Sequence, residues 1–394
     1  MPLFLGIDIG STTVKVVALD REGALLAHSY LRSKGRPQGT LLRALDDLRR
    51  YWDLSRVTGV GFTGSGGQAI AGLVGGQHVN ELIAQTRAVG ELYPEARTVI
   101  EIGGQDSKLL SLELDERSGR MVLVDFAMNT LCAAGTGSFL DQQAERLAIS
   151  IEDEFSSIAL QSRNPARIAG RCTVFAKSDM IHLQQKGTLL ADILAGLCLA
   201  LTRNFKSVVS KGKAFIPPIL FQGGLAYNQA VVRAFETVLG LEPGQLIVPD
   251  HHALMPALGT ALVALEEHGE GSLPRFRGFE ALQDLMRSPA AARKSMPPLA
   301  AVDSPSLSRS KAIAASNGNA QPTPVYLGID VGSISTNVVL IDEHARVLAR
   351  RYLPTAGRPL QAVSAALRQI GRRMARRVHV RGVATSPATS SEPT

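Results

Sequence analysis

Residues 7–15 read IDIGSTTVK, and residues 100–108 read IEIGGQDSK. The two stretches align without a gap: Ile, an acid, Ile, Gly, four residues and Lys. In the first, LFLGIDI (3–9) and VKVVALD (14–20) read as strands joined by the turn Gly10-Ser11-Thr12-Thr13. One copy alone is compatible with a plain β-hairpin turn. Two copies can face each other across a cleft. They would then place two sets of turn N–H groups, hydroxyls and one or two carboxylates around a polyphosphate and its Mg²⁺.

A third element fits the same cleft. PPILFQGGLAYNQAVVRAFETVLG (217–240) reads as a buried strand, a tight Gly223-Gly224 turn and an amphipathic helix from about residue 227. The pattern also predicts helices over 40–52, 136–148, 176–186, 189–210 and 253–267. GFTGSGGQAIAGLVGG (61–76) reads as a Gly-rich segment flanking a short helix. Gly135-Thr136-Gly137, opening the helix at 136, is a further place to hold a phosphate against a helix N-terminus.

The chain has 394 residues, 45% hydrophobic and 5% aromatic, which suits a soluble α/β protein of two domains or one bilobal domain. No apolar run reaches the ~18 residues needed to span a bilayer. The start MPLFLGIDIG has no basic n-region, so the cytoplasm is the expected location. The net charge of +7 is uneven: residues 350–394 carry nine Arg, no Lys and one Glu, leaving −1 on residues 1–349. Basicity belongs to the tail, and no basic face with interleaved aromatics argues for nucleic acid.

After residue 267 the composition changes. Residues 268–323 are rich in Ser, Pro and Ala and read as a linker. Residues 324–359 then repeat residues 2–37 without a gap, with about half the positions identical. The match fades near RGVATS (381–386). This implies one complete domain over 1–267, with lobe I about 1–95 plus the last helix and lobe II about 96–252. An incomplete second copy with an Arg-rich end follows over 324–394, and it is expected to be unable to bury a core of its own.

The three cysteines, at 132, 172 and 198, form no C-x-x-C pair, which excludes a disulfide scaffold or zinc ribbon. Cys198, in LAGLCLALTRN, reads as core. Cys132 (FAMNTLCAAGTGSFLDQ) and Cys172 (AGRCTVFAKSDMIHLQQKG) each lead into a helix, where a thiolate has a lowered pKa and can ligate iron or zinc. Two thiolates are half of a tetrathiolate site, which a two-fold dimer would complete. Two buried structural cysteines is the competing reading.

The set IDIGST, GGQD, CAAGTG, CTVFA and FQGGLAYNQ, spread over residues 3–267, resembles the ATP-dependent activators (component A) of 2-hydroxyacyl-CoA dehydratases. It is equally similar to the ATPase subunits of benzoyl-CoA reductase, the BadF/BadG/BcrA/BcrD type. The resemblance implies the actin, hexokinase and heat-shock-chaperone ATPase fold, in which two RNase H-like lobes clasp ATP. It implies that Cys132 and Cys172 ligate a [4Fe–4S] cluster shared between two subunits, or between two repeats of a pseudo-dimer. It also implies an electron donor such as ferredoxin or flavodoxin, and a dehydratase or reductase partner that receives the electron. Cys132 next to Gly135, Thr136 and Gly137 would join the nucleotide site to the redox centre.

Residue roles follow from the same resemblance. Asp8 would organise Mg²⁺, with Gly10, Ser11, Thr12, Thr13 and Lys15 facing the phosphates. Gly103, Gly104, Gln105 and Asp106 would form the second hairpin, Asp106 and Gln105 acting on Mg²⁺ or the attacking water. Gly223, Gly224 and Asn228 would contact the nucleoside. The family pattern has an acid and a base just before the first cysteine, where this chain has Thr130-Leu131; in the second copy Asn337 replaces Lys15 and Ile334 replaces Thr12. A small-molecule kinase of the same fold without a cluster, or a nucleotide-binding remnant, are the alternatives.

Overall fold

The computed structural model describes residues 2–129, 133–170, 173–270, 276–287, 322–332, 335–355, 359–374 and 377–386. The chain divides into two compact units. The first comprises Met1–Gln142, Ile151–Lys177 and Leu190–Arg293, the second Gln143–Ser150, Ser178–Leu189 and Lys294–Thr394.

The chain opens with β1 (Leu3–Ile9), β2 (Thr13–Leu19), β3 (Leu25–Arg32), α1 (Pro37–Arg49), β4 (Val57–Thr63), α2 (Gly67–Val74), β5 (Gln77–His78) and α3 (Glu81–Leu92). Its sheet has the order β3-β2-β1-β4-β5, antiparallel across β1–β3 and parallel from β1 to β5. A second set follows: β6 (Thr98–Ile102), β7 (Ser107–Asp115), β8 (Arg120–Asn129), α4 (Gly137–Leu147), α5 (Phe155–Ala159), α6 (Thr173–Gln185), α7 (Leu190–Asn204), β9 (Ile219–Gln222), α8 (Gln229–Leu239), β10 (Leu246–Ile247) and α9 (Met255–Glu270). Its sheet, β10-β9-β6-β7-β8, repeats the first order and strand directions. These are two RNase H-like lobes, and the fold is that of the actin, hexokinase and heat-shock-chaperone ATPases.

Every residue of β1 is buried, as is every residue of β6. Both faces of a central strand are covered, so the strands read as apolar runs rather than as alternation. One face of the first sheet packs Leu5, Ile7, Val14 and Phe62 against Leu41 and Leu45 of α1. The other face joins a second core, in which Phe4, Val17 and Leu19 meet Val99, Leu110 and Leu220 of the second sheet through Ala88 of α3 and Ala257, Leu258 and Ala261 of α9. Gly6 and Gly61 allow this packing: a Cβ on either would overlap the carbonyl of Ala257 or Thr260, so α9 lies backbone against backbone on the sheet.

Residues 268–323 are not wholly a linker. A further helix, α10 (Glu280–Arg287), buries Leu282 in the first core with Ile70 and Val74 of α2, and Phe279, just before the helix, is buried in the same core. Phe276, Phe279 and Leu282 form an apolar stripe that the Ser/Pro/Ala composition around them conceals. Residues 288–321 lie outside the described residues.

The second copy contains β11 (Thr323–Val331), β12 (Ser335–Asp342), β13 (Val347–Pro354), α11 (Pro359–Met374) and β14 (Val378–Ser386), in a sheet of order β13-β12-β11-β14. Both copies shift register at the equivalent place, between Leu3 and Phe4 and between Val325 and Tyr326. Contrary to expectation this copy buries a small core: Val325, Val338 and Leu340 against Ala366, Ile370 and Met374. The repeat continues past its fading sequence match because β14 needs only strand propensity and a place beside β11. Among the described residues no helix is long and apolar enough to cross a membrane.

Candidate nucleotide site

The two nonapeptides form equivalent hairpins. Gly10 N donates to Thr13 O at 3.0 Å in one, and Gly103 N donates to Asp106 O at 3.0 Å in the other. Asp8 pairs across the ladder with Lys15, and Glu101 with Lys108. The turns touch: a Cβ on Gly104 would overlap the Thr12 side chain. Ser33, just past β3, straps the first turn by donating from N to Thr12 O at 2.8 Å and from Oγ to Ser11 O at 3.1 Å.

The third side is the Gly223-Gly224 turn. Gly223 has φ 90°, and a Cβ there would overlap the Ile102 carbonyl, so only glycine serves. Gly223 N donates to His252 O at 2.9 Å, and His252 Nδ1 lies 3.0 Å from Gly223 O, a reciprocal clamp. Burial lowers the His252 pKa, with the Gly223 carbonyl opposing it, so the ring is biased toward its neutral form. Asn228 caps α8, its Oδ1 accepting from Ala230 N at 3.0 Å and Val231 N at 3.2 Å. Among the described residues its Nδ2 is buried without a partner.

These elements enclose a cavity of about 460 Å³, whose walls include Thr12, Thr13, Lys15, Gly103, Gly104, Gly137, Gly223, Gly224 and Asn228. Tyr227, 63% exposed, forms part of its wall and packs edge-on to Tyr30 and His252 at ring separations of 6.1 and 4.3 Å. Ser11 and Gln105 are exposed at the two turns, and neither they nor Gly10, Asp8 and Asp106 line the cavity. Gly135 and Thr136 are buried in the turn before α4. The first amides of α4 are already committed, Gly137 N to Gly103 O and Ser138 N to Gly104 O, both at 2.9 Å. That helix start therefore braces the second hairpin. Cys132 and Cys172 lie outside the described residues. Cys198 is buried in α7, where desolvation pushes its thiol up to about 12.

The inner end of the site is strongly charged. Lys15 Nζ is 2.7 Å from Asp8 Oδ2, both largely buried. Burial works against the Lys15 charge, but the Asp8 carboxylate and its hydrogen bond outweigh it and raise the pKa above 10.5. Asp8 is crowded on its other side by Gly64, at φ +81°, where a Cβ would lie 2.5 Å from Oδ1. Lys108, 1% exposed, holds three carboxylates: Glu101 Oε2 at 2.8 Å, Asp106 Oδ2 at 2.7 Å and Glu81 Oε1 at 3.0 Å. Burial pushes the Glu101 carboxyl up to about 7; Lys108 opposes this, and the charges of Asp106 and Glu81 add to it.

Glu81, Glu101 and Lys108 were not singled out from sequence, although the nonapeptide alignment sets Glu101 beside Asp8 and Lys108 beside Lys15. Arg32, Asp141 and Glu152, which also line the cavity, carry no motif and come from three separate segments.

The sequence profile of the BadF/BadG/BcrA/BcrD ATPase family matches residues 5–264. The chain belongs to that family. As a member of the BadF/BadG/BcrA/BcrD family it is an ATPase. It is 36% identical over 268 residues to the 2-hydroxyisocaproyl-CoA dehydratase activator of Clostridioides difficile, covering 68% of this chain and 96% of that one. It is 30% identical over 266 residues to the (R)-2-hydroxyglutaryl-CoA dehydratase activating ATPase of Acidaminococcus fermentans, covering 67% and 97%. The solved structure of the Clostridium difficile activator with bound ADPNP superposes with a TM-score of 0.60 at 33% identity, over 68% of this chain and 96% of that one.

Proposed function

We propose that this ATPase is the activator of a 2-hydroxyacyl-CoA dehydratase or a benzoyl-CoA-reductase-like partner, and that it couples ATP hydrolysis to one-electron transfer. The observation that carries the nucleotide half is the contact of two equivalent hairpins, Thr12 against Gly104, around a cavity whose third wall is the Gly223-Gly224 turn. Lys15, fixed by Asp8, and the hydroxyls of Thr12 and Thr13 would receive the phosphates. Gly223, Gly224 and Asn228, with the ring of Tyr227, would receive the nucleoside.

Glu101 is the group suited to accept the proton of the attacking water. It lines the cavity, Lys108 holds its Oε2, and its Oε1 lies beside the Gly103 and Gly223 backbone. Its elevated pKa brings proton transfer near neutrality. A divalent ion fits this donor set: four carboxylates (Asp8, Glu81, Glu101, Asp106) face two ammonium groups (Lys15, Lys108), leaving two negative charges when all are ionised. Asp8 and Asp106 are the residues that would hold it, and Mg²⁺ supplies charge neutralisation of the phosphates.

Cys132 and Cys172 would hold a [4Fe–4S] cluster together with the same two residues of a second activator domain, in a homodimer or a pseudo-dimer. When bound, it supplies low-potential one-electron transfer, with ferredoxin or flavodoxin as donor. The support is the donor chemistry, two thiolates each directly preceding a helical segment, the turn Ala133–Gly135 or α6, and the activator function named for the relatives. Anaerobic purification with iron and sulfide analysis and reduced-state EPR tests it. About four iron atoms per dimer, lost in Cys132→Ala, is the expected result. Iron-free protein that still hydrolyses ATP after reconstitution would leave a cluster-free enzyme such as a kinase.

A further inference from the structure

Arg32 is the last residue of β3 and pairs in the ladder with Thr13, directly beside the first phosphate turn. Its guanidinium crosses the cleft: Nη2 lies 2.7 Å from Glu152 Oε1, and Nη1 lies 3.5 Å from Asp141 Oδ2 on α4. All three side chains line the cavity, where Lys15 and Arg32 are the cations among the described lining residues. The two cations differ in kind. Lys15 and Asp8 are 15% and 3% exposed, a fixed pair, whereas Arg32, Asp141 and Glu152 are 45%, 34% and 58% exposed. An exposed pair is worth only ~0–1 kcal/mol, while a phosphate takes guanidinium bidentately in shorter, stronger hydrogen bonds.

We propose that the Arg32 bridge to Asp141 and Glu152 is an exchangeable tie that reads nucleotide occupancy. Without nucleotide, Arg32 ties Asp141, beyond the first turn of α4, and Glu152, in the segment after α4, to β3. With a nucleoside triphosphate bound, the guanidinium transfers to the phosphates and the two carboxylates are released. The first turn of α4 stays anchored to the second hairpin through Gly137 and Ser138, so the release acts on the helix beyond that anchor. Arg32 is thus a positioning residue, rests on ATP occupying this cavity, and converts phosphate binding into freedom of the helix that follows Cys132.

The test combines equilibrium binding of ADPNP·Mg²⁺ with hydrogen exchange over the peptide containing α4. In the wild type, ADPNP should accelerate exchange of α4 amides. Asp141→Asn with Glu152→Gln should exchange fast without nucleotide and bind ADPNP about two- to fivefold more tightly, the fold-change equivalent of an exposed pair. Arg32→Ala should show the same fast exchange, bind about tenfold more weakly and lose the nucleotide response. If wild-type α4 is indifferent to bound ADPNP, or Arg32→Ala keeps the full response, the tie is refuted while the ATPase reading stands. If ADPNP does not bind at all, both fall.

Discussion

Replacing Lys108 by Met removes the one ammonium group that three carboxylates share. The cost attaches mainly to Glu101, 7% exposed, because Glu81 and Asp106 keep 27% and 33% of their surface and with it much of their hydration. A buried carboxylate left without its cation neutralises rather than staying charged, so at pH 8, one unit above the Glu101 folded value of about 7, the loss is limited to about 1.4 kcal/mol. With a urea m-value of about 3 kcal/mol/M, the unfolding midpoint of the variant should fall by about 0.5 M at pH 8. The sign of the pH effect follows from Glu101. Its folded-state pKa, about 7 in the wild type, lies above the value of 4.5 expected when exposed, and losing Lys108 raises it further. A carboxyl with a raised pKa is tolerated at low pH and destabilises as pH rises through the folded value. The defect should therefore shrink between pH 8 and pH 5.5, and Glu101→Gln in the Lys108→Met background should recover most of it at pH 8. Urea unfolding followed by circular dichroism at both pH values reads all of this. A midpoint loss below about 0.3 M, or one equal at both pH values and unrelieved by Glu101→Gln, would refute a buried charge cluster at this site.

Two further outcomes are open to direct measurement. Glu101→Gln should lower ATPase kcat by about 10²-fold or more, and steady-state profiles should lose a limb that in the wild type rises through about pH 7, because the protonated carboxyl below that pH cannot accept a proton. Gly6→Ala puts a methyl group into the carbonyl of Ala257, so α9 must retreat from the sheet. The expected loss is about 1–3 kcal/mol by chemical denaturation, with nucleotide affinity falling alongside because α9 spans both lobes.

The parts of the site that were legible in sequence are those whose chemistry is local. A hairpin turn, a Gly at φ 90° and a helix cap such as Asn228 are each decided within a few residues, so IDIGSTTVK, IEIGGQDSK and FQGGLAYNQ were enough to imply two lobes around a cleft. The cleft's charge balance was not legible, because it depends on distant residues. Glu81 comes from the start of α3 and reaches Lys108 only after the lobes assemble, and Arg32 finds Asp141 across 109 positions of sequence. Gly137 shows how locality is incomplete: a glycine opening a helix suggests a phosphate seat, and Gly137 lines the cavity, but its own N–H is used on Gly103. Composition misled over residues 268–323 because Phe276, Phe279 and Leu282 are too few to change the average and enough to dock a helix.

The packing of α9 has a mechanical consequence. Both sheets draw on the same core through this helix, and at Gly6, Gly61 and Gly259 it meets its neighbours backbone to backbone, with no intervening side chain to change rotamer. Such a contact cannot be stretched a little; it slides or it separates. The lobes should therefore behave as two stiff arms on a fulcrum at α9, and a small rotation there becomes a larger excursion at the turns that carry Thr12 and Gly104.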